Sequence, residues 1–152
     1  MKVVVEIDPE GSEEIRIRVR EITPQLQKLQ NVLQDALSSS GEIAVKSADG
    51  ESFLDPREIL FAETAGGAVM VHTAREAFSC PLRLYELEAI LPHFFVRASK
   101  SSLINTARIR ALSRGATGLG EAGFSGSEKK VLISRMYFKI VRDVIEETRL
   151  KK

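Results

Sequence analysis

Ile15, Ile17 and Val19 alternate with Arg16, Arg18 and Arg20, the two-residue period of a strand with one buried face. Residues 2–7, Lys-Val-Val-Val-Glu-Ile, predict a partner strand, 13–19 the return strand, and Asp8-Pro9-Glu10-Gly11 the turn between them. The period then changes to three and four: Leu26, Leu29, Leu33 and Leu37, with Val32 and Ala36, form the stripe of an amphipathic helix. Thr23 stands where it can cap that helix, Pro24 suits its first turn, and Ser38-Ser39-Ser40-Gly41 ends it. Residues 1–41 thus read as a β-β-α extension, marginal in size as an independent unit. Its leucine stripe is expected to pack on the chain's own sheet, with a dimer contact as the alternative.

From residue 42 onward the pattern is mostly that of short strands. They are expected at 42–47, 52–54, 59–64, 68–73, 76–80, 94–97, 101–104, 108–114 and 129–133. Ala65-Gly66-Gly67 joins the fourth to the third, and Ala98-Ser99-Lys100 is a polar kink. Residues 115–126 hold five glycines and read as a long hairpin connection with a frayed or bulged strand inside. A helix is expected over 81–91, closed by Pro92, and a last helix after Ser134, its cap. The buried face of that last helix is expected to carry Tyr137, Ile140, Val141, Val144 and Ile145. The fold class is therefore mainly β, α+β overall, with an extension at 1–41 and a larger domain at 42–150.

The 152 residues carry a formal net charge of +1, which alone points to no partner. The distribution says more. Residues 1–45 hold 5 Lys/Arg against 8 Asp/Glu, whereas residues 97–142 hold 10 Lys/Arg against only Glu121 and Glu128. A segment so basic suits a polyanion, and phosphate backbones attract it whatever their sequence. The single cysteine, Cys80, excludes an internal disulfide framework, and two histidines leave little for a metal centre. No signal peptide or membrane-spanning run is evident, which predicts a soluble cytoplasmic protein.

Nothing in the pattern suggests catalysis: there is no nucleophile elbow, no metal-spaced cluster and no phosphate-cradling loop, so no cofactor or metal is expected. Gly115-Ala-Thr-Gly-Leu-Gly120 opens no helix and is followed by no Gly-Lys-Ser/Thr, so it reads as a hairpin. His72 is expected to pack or hydrogen-bond across a sheet, His93 to lie at a helix end, and Cys80 to be a small buried apolar group. Two segments are richer. Arg97, Ser99, Lys100 and Ser101 sit between two apolar strands, in reach of phosphates or a guanine edge, or else simply solvated. Ser134, Arg135, Met136 and Lys139 open a helix directly after a strand, where free amides favour an anion.

The order of segments EILFAETAGGAVMVHT, LRLYELEAILP, FFVRASKSSLINTARIRAL and KKVLISRMYFKIV resembles the LytTR DNA-binding domain of bacterial transcription regulators, over roughly residues 42–148. The extension also resembles that of small stand-alone regulators without a receiver domain. The resemblance implies an elongated antiparallel β-sandwich whose loops enter successive major grooves of double-stranded DNA. It implies binding in pairs, on direct repeats, as a homodimer. Carried over to this chain, it places Thr64, Gly66 and Gly67 in one DNA-facing loop. Arg97, Ser99, Lys100 and Ser101 form the second, with Lys100 as base reader. Ser134, Arg135 and Met136 form the third. Asn105 is implied to be structural. Gly66-Gly67 and Met136 depart from the long polar side chains common in the family at those places. A protein-interaction or sensor module that dimerises through residues 1–41, with secondary DNA contact, is the alternative.

Overall fold

A computed structural model describes residues 2–11, 14–38 and 41–149. Ten strands and three helices follow the order α1 (Pro24–Ser38), β1 (Ile43–Ser47), β2 (Gly50–Leu54), β3 (Phe61–Ala65), β4 (Ala68–His72) and β5 (Ala77–Cys80). Then come α2 (Leu84–Ile90), β6 (Phe95–Ser99), β7 (Ser102–Asn105), β8 (Ile109–Arg114), β9 (Gly120–Phe124), β10 (Lys130–Ile133) and α3 (Arg135–Arg149). A seven-stranded sheet has the order β2-β1-β5-β4-β3-β7-β6, and a three-stranded sheet the order β10-β9-β8. Every pairing is antiparallel.

The apolar positions of β3 and β7 explain the layering. Leu60, Phe61, Ala62, Leu103 and Ile104 are all buried, so the centre of the long sheet is covered on both faces. One face carries Ile59, Ala62, Val71, Phe78 and Leu103 against Leu84, Leu87 and Leu91 of and beside α2. The other carries Phe61, Ala98 and Ile104 against Phe124, Val131 and Ile133 of the short sheet and Phe138 and Val141 of α3. Burying such side chains contributes about 1.5–3 kcal/mol each, which makes this junction the most strongly held part of the chain.

Both edges of the junction are tied by an Asx side chain. Asp55 accepts the Arg57 amide through Oδ1 at 2.9 Å and starts the 3-10 turn that leads into β3. Asn105 does the same after β7. Its Oδ1 accepts the Ala107 amide at 2.9 Å, and its Nδ2 donates to the Ile59 carbonyl at 2.8 Å. The structural role expected of Asn105 is therefore met by one buried and one part-buried bond.

Three expectations need correction. First, residues 2–7 and 14–19 form no strands; the chain is extended there but unpaired, and residues 12 and 13 lie outside the described residues. A lone two-stranded hairpin is marginal in water, and no described strand of either sheet pairs with these segments. Helix α1 forms as read, with Thr23 Oγ1 accepting the Leu26 amide at 3.1 Å. None of its described side chains belongs to either core cluster. The side chains of Ala36 and Leu37 and the stop at Ser39-Ser40 fall outside the described residues.

Second, the strand expected inside the glycine-rich stretch is present and pairs without interruption with β10 from Gly120 to Gly123; the register shift of its other pairing lies on β8, between Ile109 and Ala111. Gly120, Ala122 and Phe124 of β9 point inward and are buried, and β9 is the middle strand of the short sheet. Its glycines permit close packing: a Cβ on Gly120 would lie 2.3 Å from the Phe138 ring. Third, Ile140 is half exposed while Phe138 is buried, so the inner face of α3 is rotated from that expected.

Candidate nucleic-acid interface

The three loops singled out from sequence come together at one end of the molecule through backbone bonds. The Thr64 amide donates to the Ser101 carbonyl at 2.9 Å, which joins the β3–β4 hairpin to the β6–β7 turn. The Ser134 amide donates to the Ala98 carbonyl at 2.8 Å, which joins that turn to the start of α3. The first two loops are thereby rooted in strands of the long sheet, and the third in β10, whose Val131 and Ile133 are buried. A rigid base of this kind fixes the spacing of the side chains it presents.

In the first loop, Gly66 and Gly67 have φ of 59° and 82°, the left-handed pair of a type I′ turn. Glycine fits there without strain, and its lack of a side chain lets the backbone approach a partner closely. Thr64 is exposed beside it.

The second loop is braced from within. Arg97 Nε donates to Glu88 Oε1 at 3.1 Å and Nη1 to the Lys100 carbonyl at 2.7 Å. Arg97 is 21% exposed and holds the turn in shape instead of presenting a free guanidinium. The Ser99 hydroxyl lies 2.8 Å from that of Ser102, and its oxygen accepts the Ser101 amide at 3.2 Å. Lys100 stands exposed at the tip, with no ion pair among the described residues.

At the third loop the expected cap takes a different form. The Ser134 carbonyl accepts the Tyr137 and Phe138 amides at 3.1 and 3.0 Å, but its buried hydroxyl has no hydrogen-bond partner. The bond from its own amide to Ala98 ties the backbone of the helix start to β6. Arg135, Met136 and Lys139 are exposed beside this helix start.

A fourth turn joins them, and the sequence pattern missed it. A Cβ on Gly118 would meet Arg135 Cδ at 2.8 Å, so the β8–β9 turn lies against the Arg135 side chain. Arg114, at the mouth of that turn, donates from Nε to the Gly118 carbonyl at 3.3 Å, and its guanidinium lies 4.9 Å from the centre of the Phe138 ring. Stacking on an aromatic face holds a cation without neutralising it. Arg114 was visible only as the last basic residue before a glycine; its nearness to Arg135 depends on the β8–β9–β10 pairing.

The remaining charge of the basic segment is partly spent inside the protein. Lys130 pairs with Glu121 at 3.3 Å and Arg142 with Glu146 at 3.9 Å. At the far end of the β3–β4 hairpin, His72 stacks on Phe61, with ring centroids 4.2 Å apart. Its Nε2 lies 3.1 Å from Glu63 Oε1, and Lys129 Nζ lies 3.2 Å from its Nδ1. Burial, and then the Lys129 ammonium, hold the His72 pKa below its usual value against the opposing pull of Glu63. This is the cross-sheet role expected of His72, remote from the loops.

Among the described residues no group of three His, Cys, Asp or Glu is arranged to hold a metal ion. An open groove of about 760 Å³ is lined by Ala74, Arg110 and residues 126–129, and none of the three loops borders it. Among those residues no helix is long and apolar enough to cross a membrane.

Comparison with known proteins agrees with the fold. The family model of the LytTr DNA-binding domain matches residues 50–146. A solved LytTr DNA-binding domain of a response regulator from Bacillus cereus superposes with a TM-score of 0.64 at 19% identity, covering 69% of this chain and 96% of that one. No curated protein matches.

Proposed function

Because this chain belongs to the LytTr family of DNA-binding domains, a family of transcription regulators, we propose that it binds double-stranded DNA sequence-specifically by inserting its converging loops into the major groove. The observation that carries the reading is the pair of backbone bonds, Thr64 to Ser101 and Ser134 to Ala98, that gathers three loops on one edge. On that edge Lys100 and Arg135 are exposed. In this reading Lys100 reads a base edge, while Arg135, Arg114 and Lys139 meet phosphates. Thr64, Ser101 and the backbone at Gly66-Gly67 supply further contacts, and Met136 offers an apolar contact to a thymine methyl. Arg97 and Ser99 act by holding the Lys100 turn. Binding as a pair on direct repeats, in the cytoplasm, completes the proposal.

The test is selection of bound fragments from random DNA, followed by gel-shift titration on the recovered site. Lys100→Ala is expected to weaken specific binding by about 1–3 kcal/mol and to relax preference at one position. Arg135→Ala is expected to weaken binding on all sequences and to flatten the salt dependence by about one unit. Arg57→Ala, at the distant turn before β3, is the charge-matched control. Unchanged affinity in both loop variants would refute the face.

A further inference from the structure

The extension leaves apolar side chains uncovered to an extent that the rest of the chain does not. Val3, Val4, Val5 and Ile7 are 91, 72, 84 and 86% exposed, and Ile15, Val19, Ile22 and Val32 between 40 and 85%. Residues 2–7 and 14–19 make no strand pairing, so their backbone donors and acceptors are open as well. Ile15 and Ile17 face Leu26 and Leu33 of α1 across an open groove of about 300 Å³, which the chain's own residues 3–7 do not fill.

We infer that a second copy of this chain fills that groove, residues 2–8 of each protomer lying as a parallel strand beside residues 14–20 of the other. The charge pattern selects both the register and the partner. With a parallel offset of twelve residues, Val3, Val5 and Ile7 fall beside Ile15, Ile17 and Val19 on one face. Lys2 then falls beside Glu14, Glu6 beside Arg18 and Asp8 beside Arg20 on the other, each an opposite-charge pair.

Antiparallel registers do worse. Setting Val5 beside Ile17 puts Lys2 beside Arg20 and Asp8 beside Glu14. Setting Ile7 beside Ile17 keeps two opposite-charge pairs, Glu6 with Arg18 and Asp8 with Arg16, but puts Val3 beside Glu21 and so has two apolar pairs where the parallel register has three. One chain cannot make the parallel pairing by itself, since only residues 9–13 separate the segments and a parallel connection needs a dozen or more. Two copies make it twice, in a closed two-fold arrangement. Val3, Val5, Ile7, Ile15, Ile17 and Val19, presenting on the order of 100 Å² each, supply most of the ~800 Å² per partner of a standard interface. The inference deepens the pairing proposed above and involves no DNA.

Sedimentation equilibrium of the full chain without DNA tests it. The wild type is expected at twice the chain mass at micromolar concentration. Glu6→Arg with Asp8→Arg, and separately Arg18→Glu with Arg20→Glu, place like charges across the pair; each is expected to weaken association at least tenfold. An equimolar mixture of the two variants restores complementarity in both strand pairs and is expected to recover the dimer mass. A monomeric wild type overturns the inference. A dimer indifferent to the charge reversals, or variants that fail to rescue each other on mixing, overturns the exchanged parallel pairing. Circular dichroism confirms that each variant is folded, since the β domain does not include these positions. None of these outcomes bears on whether the loops bind DNA.

Discussion

Replacing Asn105 by alanine isolates the bond that joins β7 to the turn before β3. The side chain is fully buried at 0% exposure, with Nδ2 on the Ile59 carbonyl at 2.8 Å and Oδ1 on the Ala107 amide at 2.9 Å. Alanine removes both partners, leaving the Ile59 carbonyl buried without its donor and the part-buried Ala107 amide without its acceptor. The stranded carbonyl costs about 1–3 kcal/mol and the amide, on an exposed residue, about 0.5–1.5 kcal/mol, so the pair together costs about 1.5–4.5 kcal/mol. That is a large fraction of the ~5–15 kcal/mol that holds an ordinary domain together. Asn105→Asp keeps the acceptor but sets a carboxylate against the Ile59 carbonyl, and is expected to be at least as harmful. Urea unfolding followed by circular dichroism gives the difference directly, provided the slope is unchanged. The bonds lie at the end of β7 away from Lys100. A folded Asn105→Ala sample should therefore bind DNA as tightly as the wild type below its melting range. A loss under about 1 kcal/mol would refute the reasoning, because water or neighbouring groups would then replace both bonds.

Gly120→Ala drives a methyl group to within 2.3 Å of the Phe138 ring and should cost about 1–3 kcal/mol by urea unfolding, with weaker DNA binding as α3 shifts. His72 is kept neutral chiefly by burial, so its folded pKa lies below its unfolded value. Stability at this group is full above the unfolded pKa and is lost as pH falls below it. The drop in urea midpoint between about pH 7.5 and 5.5 should accordingly be smaller in His72→Gln. Arg114→Ala should lower DNA affinity on all sequences and reduce the salt slope by about 0.9, read by gel shift at several salt concentrations, if this guanidinium meets one phosphate.

The legible parts of the fold were those where one physical cause dominates. Continuous apolar runs such as Ile59–Ala62 mark strands covered on both faces, and Gly66-Gly67 marks a turn of one hand. Strand β9 was obscured because Gly120 and Gly123 have no side chains to show the two-residue period. Gly120 is small because the Phe138 ring sits where its side chain would be. The N-terminal pair erred in the other direction: alternation identified segments suited to a sheet but not whether a sheet is there to receive them. In the candidate interface, the exposure of Lys100 and Arg135 followed from sequence. The inward turn of Arg97 did not, since Glu88 lies on a different element, and neither did the company of Arg114.

The double-glycine tip between β3 and β4 limits how this surface can evolve. Both positions occupy backbone conformations that side chains rarely adopt, so a recognition group cannot simply be grafted onto the apex by point mutation. New preferences at this turn must enter through its shoulders, Thr64, Ala65 and Ala68, where the extended backbone accepts any residue. The apex itself stays constant while the flanks drift, and variation among descendants of this chain should concentrate accordingly.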